Sequence, residues 1–231
     1  MKKILGILLL VLCISTPVSA ITDAELIQEQ TIQNQIDDIG TKILNANKIP
    51  KRIIFVYNKA DKKSKLKMDT TLSSRQIIMY TNSYKFVENK DELAAYLARE
   101  IALAAKSFNG KCAGGLKSLQ IKAAPKKYEL VADKIAVDYM VNAGYHPIGL
   151  ITYIQKTSPQ RRFDKFSNKN LTSKRLAVIY EYIYTKYPYY LVNNPYFTNE
   201  HYQNFLLTSV NNRKLLQHKI ETGSKENLKY E

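Results

Sequence analysis

Histidine and cysteine are nearly missing from this chain. Its 231 residues include three His and two Cys, too few for a His/Cys-rich metal site or a disulfide framework. Tryptophan is absent, and Gly (8) and Pro (7) are sparse. That excludes collagen-like, low-complexity and generally disordered chains. Acidic residues are short as well, with 20 Asp+Glu against 35 Lys+Arg and a formal net charge of +15. What remains, 45% hydrophobic and 24% charged, is ordinary globular composition. At this length it suits a single domain of up to about 200 residues with a real core.

A long hydrophobic run is also missing, except at the start. Lys2 and Lys3 precede an unbroken apolar stretch from Ile4 to Ile14, followed by Ser15-Thr16-Pro17-Val18-Ser19-Ala20. A charged start, an apolar segment and small residues at the exit are the parts of a cleavable signal peptide. The run is too short for a stable membrane-spanning helix. The expected organisation is a signal peptide over 1–20 cleaved after Ala20, one domain over 21–222, and a flexible tail over 223–231. The mature chain is then exported, to a periplasm or to the exterior, with 211 residues and a charge of +13. Cys13 could mark a lipid anchor, but Leu12 sits where that motif takes a small residue. Cys112 would be the sole mature cysteine, read as a reactive thiol, as one half of an intermolecular bridge, or as a small apolar side chain packed near Gly110, Gly114 and Gly115.

Ile32, Ile36, Ile39 and Ile43 recur at spacings of three and four, which predicts an amphipathic helix within 22–45. Runs 52–57 and 76–81 are β-branched and aromatic and read as strands. With the Lys-rich turn between them, they predict a small antiparallel sheet. Residues 89–106 form a strong helix pattern, with Asn89 capping it and Glu92 reaching back to the freed backbone donors. A second helix is expected over 128–143, stopped by Gly144, with Pro147 opening a short one. A further helix starts near Thr172, with Leu176, Ile179, Tyr180 and Ile183 inward. The fold class is therefore α+β, mostly helical.

Two segments carry a resemblance. Asp91-Glu-Leu-Ala-Ala-Tyr-Leu-Ala-Arg99-Glu100-Ile-Ala-Leu103 resembles the zinc helix of the HtpX/BepA-like gluzincin metallopeptidases, the family that includes the CAAX prenyl proteases. Its members read roughly E-L-A-x-x-L-A-H-E-I-A-H there. Glu129-Leu-Val-Ala-Asp133, followed by a helix and Gly144-Tyr-His-Pro147, is similar to that family's second site helix. The order of the two motifs and the upstream helix and strands match over roughly residues 22–180. The resemblance implies a zincin-like metallopeptidase domain.

In that family two His four residues apart bind zinc, with the intervening Glu as general base. Here Arg99 and Leu103 stand at the two His positions. Glu100 keeps the general-base position, Glu129 the third-ligand position, and Asp133 the position that orients a ligand from behind. The family's downstream site histidine falls near Asn168-Lys169-Asn170 and is missing too. Arginine stays protonated and leucine has no donor atom, so neither ligates zinc. Without zinc to acidify water and polarise a carbonyl, Glu100 alone cannot hydrolyse a peptide.

The resulting expectation is a vestigial site with no cofactor, zinc returning only if the site has been rebuilt. Arg99 is expected to replace the lost charge through a two-point pair with Glu129, or to lie at the surface. The function implied is a non-catalytic, peptide- or protein-binding scaffold of the cell envelope, the ligand lying in the inherited cleft. One alternative is a zinc metalloendopeptidase with an unusual site. Another is an anionic-polymer binder using Lys59, Lys62, Lys63, Lys65 and Lys67. Nucleic acid is disfavoured as a partner, because no motif interleaves these charges with aromatics. Eight tyrosines crowd into 180–202, read as covering the core or as a binding surface.

Overall fold

The computed structural model describes residues 23–50, 53–59, 70–71, 76–108, 125–159 and 171–231. In chain order these form α1 (Asp23–Ala46), β1 (Ile54–Asn58), β2 (Thr70–Thr71), β3 (Gln76–Tyr80), α2 (Thr81–Tyr84) and α3 (Lys90–Phe108). There follow α4 (Pro125–Asn142), α5 (Ile148–Thr157), α6 (Thr172–Lys186), α7 (Tyr189–Val192), α8 (Glu200–Thr208) and α9 (Val210–Thr222). The architecture is α+β and mostly helical, as the sequence pattern implies. The predicted signal segment, Cys112, and Lys62, Lys63, Lys65 and Lys67 lie outside the described residues.

The sheet departs from expectation. β1 and β3 pair in parallel, Ile54 opposite Gln76 and Asn58 opposite Tyr80, not antiparallel as the turn between them suggested. The reason lies in the connection. Residues 59–75 are too many for a hairpin and long enough to bring the chain back to its starting end, which parallel pairing requires. The two-residue β2 pairs antiparallel on the other side of β3. That leaves β1 at an edge, with backbone groups open to stray pairing. α1 closes this edge: Gln33 accepts from Tyr57 N–H at 2.7 Å and donates to Phe55 C=O at 3.0 Å.

α3 runs through the centre and packs against α1, α4, α5 and the sheet. Its alanines make this possible. Ala94, Ala95 and Ala98 are fully buried, as are Leu97 and Ile101, so neighbours approach closely on several sides. The cap forms as expected: Asn89 Oδ1 accepts from Glu92 N–H at 3.0 Å, and Glu92 Oε2 accepts from Glu88 N–H at 2.8 Å. Glu92 is itself buried, and α5 completes its bonding with Lys156 Nζ at 2.7 Å and Thr152 Oγ1 at 2.7 Å. A buried carboxylate so satisfied ties α5 to the start of α3.

α4 ends at Gly144, φ +75°, with Tyr145 N–H bonded to Met140 C=O at 2.9 Å, the left-handed stop that the sequence indicates. The chain then turns so that His146 N–H meets Asp91 Oδ1 at 2.9 Å, and α5 crosses α3 at Gly149. A Cβ at 149 would lie 2.8 Å from Asp91 Cβ and 2.9 Å from its carbonyl carbon. Backbone cannot swing aside as a side-chain tip can. Gly149→Ala is therefore expected to destabilise by about 1–3 kcal/mol through overpacking, measured as a lower urea midpoint at unchanged slope. A wild-type midpoint would mean that α5 shifts freely.

The tyrosine-rich segment mostly covers the core. Tyr196 and Tyr202 are buried and Tyr180, Tyr182, Tyr187 and Tyr190 pack partly buried against it, while Tyr184 and Tyr189 stay exposed. Residues 223–231, expected as a flexible tail, instead fold back on the protein: Tyr230 is buried and Asn212 Nδ2 donates to Glu231 C=O at 2.9 Å. No helix among the described residues is long and apolar enough to cross a membrane.

Candidate functional site

Three helices converge on one charged cluster. α3 supplies Arg99 and Glu100. α4 supplies Glu129 and Asp133, four residues apart and so on one face. α6 supplies Arg175. Asp133 is fully buried and accepts from Arg99 Nε at 2.7 Å, Arg175 Nε at 2.9 Å and Arg175 Nη2 at 3.0 Å. Glu129 Oε1 lies 3.3 Å from Arg175 Nη1 and 3.6 Å from Arg99 Nη2. Glu100 Oε1 lies 3.7 Å from Arg99 Nη1. Two guanidinium groups thus face three carboxylates, a formal balance of −1 with all ionised.

The electrostatics follow from that geometry. Burial alone would raise the Asp133 pKa, but Arg175 and Arg99 beside it outweigh burial and hold the carboxyl below its ordinary value. Burial likewise works against the charge on Arg99, and Asp133, Glu100 and Glu129 overcome it, holding the guanidinium above its ordinary pKa. Ions out of water are costly unless each is paired and bonded. Here each one has an opposite charge within reach, so the cluster clamps α3, α4 and α6 together.

The expected Arg99–Glu129 contact is present but is not the two-point pair. Arg99 places its short bond on Asp133 and touches Glu129 only at 3.6 Å. The two-point pair belongs to Arg175 and Asp133. The reason is depth: Asp133 is the more buried of the two α4 carboxylates and depends more on direct donors. The alternative of a surface-exposed Arg99 is overturned, since its side chain is only 13% exposed.

Arg175 is the residue that sequence reasoning missed. A signal existed: it lies four residues before Ile179 and eight before Ile183, on the helix face that the apolar residues mark as inward. A charge on such a stripe asks for a buried partner.

As they stand, these residues do not fit a zinc ion. Leu103 has no donor atom and is buried with Ala102 and Ala132, against Ile135 and Tyr139. Arg99 brings a positive charge to the cluster. Glu129 is engaged by two cations. Among the described residues no group of His, Cys, Asp and Glu is arranged to hold a metal.

The histidines have other surroundings. His146 Nε2 is 3.1 Å from Asn193 C=O, with its ring against Tyr190 and Tyr196. Burial holds His146 below its ordinary pKa. His201 sits near Glu200 and Glu88 at the start of α8. Lys59, from the basic run, is half exposed and pairs with Glu29 at 2.8 Å, which offsets the charge it would offer to a polyanion.

Comparison with protein-family models, with curated proteins and with solved structures finds no match for this chain.

Proposed function

We propose that this chain is an exported, non-catalytic relative of the HtpX/BepA-like gluzincin metallopeptidases with a zincin-like domain, which binds peptide or unfolded protein in the cell envelope. The observation that supports the reading is the pair of guanidinium groups set among three carboxylates, at the place where the resemblance would put a metal. The motif Glu100 and the motif pair Glu129 and Asp133 come from separate helices, yet they meet around Arg99. Three carboxylates from two motifs would repel one another without a cation between them. Arg99 and Arg175 supply that cation permanently, and neither can acidify water or polarise a carbonyl as zinc does.

The test joins metal content to activity. The mature protein, dialysed without chelator, is expected to hold no stoichiometric zinc. It is also expected to bind fluorescein-labelled casein saturably, by anisotropy, without cleaving it, and Glu100→Gln is expected to change neither result. One zinc per chain that is lost on Glu129→Ala, with casein cleaved, would restore the peptidase. Absence of both binding and cleavage would remove the peptide-binding role.

A further inference from the structure

The fold-back of residues 224–231 has the contacts of recognition. From Gly223, φ +62°, the chain reverses and runs back along α9 until Glu231 reaches the level of Asn212. Within it Leu228 is half-buried and Tyr230 buried, while Lys225, Glu226, Asn227 and Lys229 are exposed. The last four residues thus alternate, Leu228 and Tyr230 inward and Lys229 and Glu231 outward, with the side-chain period of extended chain. Asn212 takes both backbone groups of Glu231, donating to its C=O at 2.9 Å and accepting from its N–H at 3.4 Å. That pairing reads main chain and is indifferent to side chain. Selectivity lies one residue earlier, where the Tyr230 hydroxyl donates to Glu181 Oε2 at 3.0 Å. Lys219 holds the other Glu181 oxygen at 2.8 Å, which fixes the acceptor in place.

We propose that the seam between α6 and α9 is a peptide-binding socket, closed here in cis by the chain's own strap and open in trans to an extended segment with an apolar residue two before a tyrosine. The occupant is named by what fills the socket now. Attachment rests on one aromatic side chain and a few hydrogen bonds, with exposed polar residues between the hinge and the anchor, so release of the strap need not disturb the core. Recognition by main-chain bonds plus one side-chain pocket is the general economy of extended-peptide binding. The inference is independent of the metallopeptidase resemblance, since the socket shares no residue with the charged cluster.

The full chain carrying Tyr230→Ala empties the pocket. A fluorescein-labelled peptide of sequence Ser-Lys-Glu-Asn-Leu-Lys-Tyr-Glu is expected to bind that variant saturably. It should bind the wild type about tenfold more weakly or worse, because the tethered strap competes at high effective concentration. Adding Asn212→Ala, or replacing the peptide's tyrosine by alanine, should abolish binding. Binding indifferent to both changes, or none at millimolar peptide, overturns the proposal. Amide hydrogen exchange on the unaltered chain gives a second arm that does not depend on the variant folding. The amide of Glu231 should exchange through a local opening, faster than those of α3. Exchange only with global unfolding would make the strap a fixed part of the core and overturn the socket.

Discussion

Replacing Asp133 by alanine is expected to destabilise the fold by about 3–5 kcal/mol, the usual consequence of removing one partner from a buried ionic network. Asp133 accepts from both arginines at 3.0 Å or less, so its loss takes a shared close acceptor from two guanidinium groups. The remaining carboxylates cannot substitute, because Glu129 and Glu100 lie at 3.3–3.7 Å and face other nitrogens. Urea unfolding of wild type, Asp133→Ala, Arg175→Met and the double variant would measure it. The double variant should be less destabilised than the sum of the two, because removing Arg175 also removes one orphaned charge. A loss under about 1 kcal/mol for Asp133→Ala would mean that the site behaves like an exposed pair and that water reaches it.

The same carboxylate sets a pH dependence of defined sign. Its pKa is lowered in the folded state, below an unfolded value of about 3.9. The folded state therefore binds fewer protons there than the unfolded chain. The stabilisation is present in full above that unfolded value and is lost as pH falls through the folded one. Wild-type stability should fall more steeply below about pH 4 than that of Asp133→Asn, whose side chain does not titrate. Parallel curves would show that Asp133 is not held ionised by its arginines.

What was legible in the sequence was whatever depends on neighbours along the chain. Asn89 and Glu92 signal a cap, Gly144 a stop, and four isoleucines a buried face. Each of these works through backbone geometry within a few residues. The direction of β1 against β3 was not legible, because it depends on the path of the connection and not on either strand. Nor was the choice of Asp133 over Glu129 as the partner of Arg99. The two carboxylates share a helix face and differ only in depth, which is set by what α6 lays over them. The strap was missed for another reason. Leu228 and Tyr230 alternate with charged residues, and so short an alternation in a polar tail looks like solvent-exposed chain until α9 gives its inward side something to meet.

Placing histidines at 99 and 103, the positions where the resembled family carries them, gives the largest change expected at the site. The doubly substituted chain, Arg99→His with Leu103→His, is expected to take up one zinc per chain, where each single variant and the wild type take up none. The i, i+4 spacing on α3 puts the two rings on one face, about 5–6 Å apart at Cβ, and position 99 already reaches Glu129. Position 103 packs against Ala132, the residue before Asp133. Charge favours the exchange as well. Without Arg99 the cluster stands formally at −2, and a divalent cation brings it to zero. Arg175 can keep its two-point hold on Asp133 while Glu129 turns to the metal. Uptake is read by elemental analysis and should vanish on adding Glu129→Gln, the third protein ligand of a site of this type. A folded double variant that takes up no zinc would mean that α3 and α4 are not disposed as a metal-binding pair. The arginines would then be an ordinary structural clamp, with no lost catalytic centre behind them.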